Sequence, residues 1–217
     1  MSTAAVITAI YDQYDTLKPP LPQRGVDVDW VLVTDQPPAD ALGWRVVHEP
    51  RPEMHPNRAA KAPKYEPWRY TDADASIWVD ASFRITSDRF VAEALSYADP
   101  IAQFPHPWRD CLYTEAAASA GLSKYQGEPI AAQADHYRHR GHPAFWGLWA
   151  TGVIARHHTP DVMLLGRHWD AQTHAWSFQD QISQPYCLRV TGLRPAPLPG
   201  SHIDTPWLRY EASRRHW

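Results

Sequence analysis

Four short apolar, β-branched runs, each stopped abruptly by polar or turn-forming residues, constrain this chain more than any other feature. They are Ala4–Ile10, Asp29–Asp35, Trp44–Val47 and Ala75–Asp80. Runs of this length and composition read as buried strands. The segments between them are too long for hairpins after the first and third runs, so the strands are joined by crossovers and lie in a mainly parallel sheet. With 217 residues, one compact α/β domain accounts for the whole chain, residues 1–217. Helices are expected near 88–98, 109–121 and 128–140, and around Ser177–Gln184 before Pro185. A basic stretch at Asn57–Tyr70 starts as a helix and is interrupted by Pro63 and Pro67. The segment 145–154 is a strand or a buried turn, and the tail after Pro195 is an extended segment covering the site. No internal repeat or linker divides the chain.

Composition narrows the class. The chain has 21 Pro, which forecasts long fixed loops, and 11 Trp, each of them either a core filler or a sugar-stacking surface. Its formal net charge of −3 supplies no general field for nucleic acid. Cys111 and Cys187 form no C-x-x-C pattern and read as free thiols of a reducing compartment. The sequence begins without a basic and apolar leader and contains no stretch long enough to span a membrane, which gives a cytoplasmic expectation. Histidines at 136, 139 and 142 and at 157 and 158 lack carboxylate or thiolate partners at zinc-like offsets. Serine-hydrolase, P-loop and dinucleotide fingerprints are absent.

Asp80 stands where an apolar strand stops, the edge at which open parallel sheets bind ligands. There it either holds a divalent cation with Ser82 and a substrate diphosphate, or caps the following turn. Arg58, Lys61 and Lys64 recur at spacing three, on one side of a helix, either to share an anion or to form a solvated basic face. His106, Arg109, Tyr113 and Glu115 make a stretch dense in proton donors and acceptors. They either touch an acceptor or serve as surface and capping groups, with Asp110 as the cap. Asp180, flanked by amides in an aromatic neighbourhood, is a candidate general base or a hydrogen-bond partner for a donor sugar.

Five pieces in this order resemble a family of glycosyltransferase-like domains of bacteria, phages and plants, related to plant mucilage and turgor proteins. They are Ile7–Asp12, Lys61–Lys64, Ser76–Ser82, His106–Glu115 and Asp180–Ser183. The resemblance runs through most of the chain. It implies a GT-A-like fold, with a nucleotide-binding half over about residues 1–100 and an acceptor-facing and donor-sugar half over about 101–217. It further implies transfer of a hexose from a nucleoside diphosphate sugar, such as a UDP sugar, to a hydroxyl acceptor on a glycan, a protein or a phage component. Thr8, Ala9, Ile10, Tyr11 and Asp35 would meet the nucleoside, and Arg58, Lys61 and Lys64 the diphosphate. The Asp-x-Asp metal motif falls on Asp80 and Ser82, the second acid being replaced. His202, in a segment ending Pro206-Trp207, would complete a Mn²⁺ or Mg²⁺ site. Asp180, Gln181 and Arg109 are the catalytic candidates, and His106, Tyr113, Glu115 and Gly147 the acceptor-binding ones. Two alternatives stay open: a non-catalytic sugar- or nucleotide-binding module, and a glycosyltransferase acting on modified phage DNA.

Overall fold

In the computed structural model, which describes residues 3–212, the apolar runs do become strands. They are β1 (Thr3–Ile10), β2 (Asp27–Thr34), β3 (Arg45–His48) and β4 (Ala75–Val79). Along β1, alternate side chains enter two separate cores. Ala4 and Val6 pack with α3 (Phe90–Ser96), while Ala5, Ile7 and Ala9 pack toward the longest helix, α6 (Pro160–Ala175). A strand buried on both faces needs a continuous apolar run, and Ala4–Ile10 provides one.

Between β3 and β4 lie two single helical turns, α1 (Pro56–Ala59) and α2 (Ala62–Tyr65), and a 3₁₀ turn at Pro67–Arg69. The expected break at Pro63 is not where the chain breaks. Pro63 lies within the first two positions of α2, where a missing N–H costs nothing, and the interruption falls at Ala60-Lys61 instead. After β4 come β5 (Phe83–Ile85), α3, β6 (Ile101–Pro105), α4 (Leu112–Ala120), α5 (Ile130–His139) and β7 (Trp149–His157). Cys111 occupies the cap position of α4 without a side-chain bond, so the Asp110 cap does not form. The chain closes with α6, α7 (Asp180–Val190), β8 (Ala196–Pro197) and β9 (Leu208–Tyr210).

Helix α7 does not stop before Pro185 but runs through it. The proline forfeits one ladder bond, and burial of Ile182, Cys187 and Leu188 on the helix's inner side outweighs that loss. Helix α6 starts on a Thr159 side chain that accepts from the Val162 amide, with Pro160 in its first turn.

The seven-stranded sheet has the order β3-β2-β1-β4-β7-β6-β8, and β7 alone runs against its neighbours. The carboxyl ends of β1, β4 and β6 therefore share one edge with the start of β7. A separate pair, β5 with β9, closes over that edge. Both cysteines are buried and free, and among the described residues no helix is long and apolar enough to cross a membrane.

Candidate functional site

A cavity of about 380 Å³ opens at the shared strand edge. Its floor comes from the end of β1 (Ala9, Ile10), the end of β4 (Trp78, Asp80) and the start of β7 (Ala150, Thr151, Gly152). Because β7 is antiparallel to β4, its Gly152 carbonyl accepts the Asp80 amide at 2.8 Å. There is little room for a side chain there: a Cβ on Gly152 would come within 3.0 Å of the Phe83 ring and 3.2 Å of Asp80 Oδ2, so both would have to give by a few tenths of an ångström.

On the floor lies a chain of charges. Lys61 Nζ is 2.6 Å from Asp180 Oδ1, Lys64 Nζ is 2.9 Å from Asp180 Oδ2, and Lys64 Nζ also reaches Asp80 Oδ1 at 3.2 Å. Asp180 is 2% exposed, so a charge there is tolerable only because two ammonium groups share it. Burial opposes the Asp180 charge, but Lys61 and Lys64 outweigh it and hold the carboxyl well below the usual range. Burial pushes Lys61 down to about 8 despite Asp180, with the nearby Lys64 pushing the same way. Burial works against Lys64 too, yet Asp180 and Asp80 together raise it.

The lysines owe their position to tertiary packing. Arg156, buried on β7, donates through Nη2 to the Lys64 carbonyl. Helix α6 lies against the same turn at Gly166, where a Cβ would fall 2.1 Å from the Tyr65 carbonyl oxygen and 2.5 Å from the Trp68 ring. Trp169 Nε1, one turn on, donates to the Asp180 carbonyl at 2.9 Å, tying α6 to the start of α7.

Asp80 also accepts from Trp78 Nε1 at 2.6 Å through Oδ1, which leaves Oδ2 without a hydrogen-bond partner among the described residues. His202 reaches the same cavity from the Ser201–Asp204 turn, and its buried Nδ1 has no partner among the described residues. Gln181 likewise lines the cavity with a buried, unpartnered Nε2. No group of three His, Cys, Asp or Glu side chains able to hold an ion occurs among the described residues. Asp80, with its open Oδ2, and His202, with its open Nδ1, line the same cavity, the sparse kind of donor set that a hard cation completes with water and substrate phosphate.

Of the residues singled out in the sequence, the cavity gathers Ala9, Ile10, Tyr11, Lys61, Lys64, Asp80, Ser82, His106, Gln181 and His202. Others lie outside its walls. Arg58 turns away from the two lysines and pairs with Glu128 at 3.4 Å, so the spacing of three does not produce a shared anion site. Arg109 Nε donates to the buried Glu115 at 2.6 Å, and Tyr113 donates to the His142 carbonyl at 2.5 Å. The Gly147 amide donates to the Asp110 carbonyl at 3.1 Å. Asp35 accepts the Asp12 amide at 3.1 Å and so steadies the left-handed turn after β1, while Thr8 is buried within β1. Asp180 supports the cavity from behind rather than lining it. The sequence reading passes over Tyr14, Trp108, Lys124, Tyr125, Thr151 and Tyr210, all of them cavity residues. Trp108, beside His106, and Tyr14, in the polar loop Tyr11–Asp15 that the first strand feeds, carry a local signal; the rest sit in stretches that look like ordinary loop or core.

Among protein families, the model of the TOD1/MUCI70, glycosyltransferase-like domain matches residues 1–195. No curated protein matches the chain. The family match ends before the turn that carries His202.

Proposed function

We propose, from the premise that this chain belongs to the TOD1/MUCI70 family of glycosyltransferase-like domains, that it transfers a hexose from a nucleoside diphosphate sugar to a hydroxyl acceptor. The observation that carries this reading is the buried pair of lysines on Asp180 at the edge where β1 and β4 end. Departure of a nucleoside diphosphate builds negative charge on the leaving oxygen, and fixed cations in a desolvated site lower that barrier. The Lys61 side chain is 17% exposed and lines the cavity, so its ammonium can give up part of its bond to Asp180 for a phosphate oxygen.

In this reading Asp180 is a positioning residue. Its carboxyl is too acidic to take a proton at neutral pH, and both of its oxygens are engaged by lysines. Gln181, next in the chain, has a free amide N–H to offer a donor-sugar hydroxyl. Arg109 acts indirectly, at the loop that begins at His106: its backbone amide donates to His106 Nδ1 at 3.0 Å, and its side chain holds Glu115. Asp80, Ser82 and His202 would hold Mn²⁺ or Mg²⁺. When bound, that ion supplies further positive charge at the diphosphate.

A panel of uridine and guanosine diphosphate sugars, assayed for nucleoside diphosphate release with and without Mn²⁺, tests the assignment. Release is expected from at least one donor, and Asp80→Asn should lower it about a hundredfold or more with the fold intact. Full activity in that variant refutes the site. Binding of nucleotide that ignores metal, with no turnover over hours, favours a non-catalytic binding module instead.

A further inference from the structure

The four groups at and just behind the cavity floor cancel in charge: Lys61 and Lys64 against Asp80, which lines it, and Asp180, which lies behind it. Asp15, also in the wall, is paired with Lys18 at 2.7 Å. A diphosphate entering this space carries roughly two negative charges and gains about one more as the sugar leaves. The floor by itself has nothing left over to meet it.

Lys124 is different. It lines the cavity and makes no ion pair with any described residue. Its Nζ sits 4.7 Å over the Tyr125 ring, a contact that leaves its N–H groups available. The short turn Ser123–Tyr125 that carries it is anchored by a buried network. Tyr125 donates to Gln179 Oε1 at 2.8 Å, and Gln179 Nε2 donates to Ser119 at 3.0 Å and Glu115 at 3.2 Å. Gln179 directly precedes Asp180, so one network fixes the Lys124 turn and the lysine clamp relative to each other.

We infer that Lys124 is a diphosphate-binding residue, a side chain that adds surplus positive charge to this cavity beyond any bound ion and completes the leaving-group site with Lys61. The inference rests on the glycosyl-transfer reading for its role in turnover, but anion binding by Lys124 stands apart from it. The two are separated by calorimetry of wild type, Lys124→Met and Lys124→Arg with inorganic pyrophosphate, uridine diphosphate, guanosine diphosphate and the free nucleosides.

In Lys124→Met, affinity for pyrophosphate and for whichever diphosphate binds should fall roughly tenfold or more, since one charge-assisted hydrogen bond is lost. Nucleoside affinity and the melting temperature should not move. Lys124→Arg should keep most of the affinity, because only the charge and donors are needed. Unchanged diphosphate affinity in Lys124→Met overturns the inference. Loss of pyrophosphate binding in that variant, in a protein whose wild type turns over no donor, would sustain the anion site while defeating the transferase. A wild type that binds no pyrophosphate and no nucleoside diphosphate would overturn both.

Discussion

Replacing Asp180 by Asn keeps the side chain's volume and removes the charge that two ammonium groups share at 2.6 and 2.9 Å. Lys64 would retain Asp80 at 3.2 Å, and Lys61 would have no carboxylate within ion-pair distance among the described residues. Breaking one side of a buried ion pair costs about 3–5 kcal/mol. The fold has one escape, which is to release a proton from Lys61. At pH 7 that costs only about 1.4 kcal/mol, because folded Lys61 already sits near 8, so the escape limits the Lys61 share of the penalty, and the lost Lys64 contact adds to it.

The expected loss of unfolding free energy at pH 7 is therefore about 1.5–5 kcal/mol, a drop in Tm of roughly 3–20 °C for a chain of this size. The pH dependence follows from the direction of the shifts. In the variant, Lys61 already titrates below pH 7 in the folded state, so the unfolded chain binds more protons and stability rises with pH. In the wild type the same rise begins only near the Lys61 value of about 8. The gap between the two proteins should narrow by about 1 kcal/mol between pH 7 and pH 8 and by a further ~0.4 kcal/mol above it, then hold steady. Urea unfolding followed by tryptophan fluorescence at both pH values measures it. A variant within about 0.5 kcal/mol of wild type at pH 7, or a gap that does not narrow, would refute the argument that Asp180 carries both lysines.

Gly166→Ala drives a methyl group into the Tyr65 carbonyl and the Trp68 ring; about 3 kcal/mol of stability should be lost in thermal unfolding, with donor turnover falling as the Lys64 turn shifts. Gly152→Ala crowds Asp80 Oδ2 and the Phe83 ring by a few tenths of an ångström; turnover should fall roughly tenfold in steady-state assays while Tm changes little. With Lys61 near 8, the KM for donor should be flat below about pH 8 and rise above it as the ammonium discharges; in Lys61→Arg that rise should vanish from the accessible range, because guanidinium stays charged.

Much of the sheet is legible in the sequence because a strand buried on both faces must be apolar throughout, and Ala4–Ile10 and Ala75–Val79 show this without help from the rest of the chain. The carboxyl-edge position of Asp80 follows from the same local pattern. Helix α6 was legible too: Thr159-Pro160 is a start signal, and Val162, Leu165, Gly166, Trp169 and Thr173 form an inward stripe at spacings of mainly three and four. The polar and glycine residues between them mask that stripe, and our reading of the sequence leaves it unassigned.

The charge cluster belongs to the tertiary structure. Lys64 and Asp180 are 116 positions apart and meet only because α6 brings the start of α7 back over the lysine turn. Spacing in the sequence groups Arg58 with Lys61 and Lys64, whereas the fold sends it to Glu128 and Trp176. Lys124 in its exposed loop resembles any surface lysine until packing sets it against the cavity. Local apolar pattern is enough to specify where strands run and where they end. Which charges then share a buried site depends on burial and partner distance, and those exist only once the chain has closed.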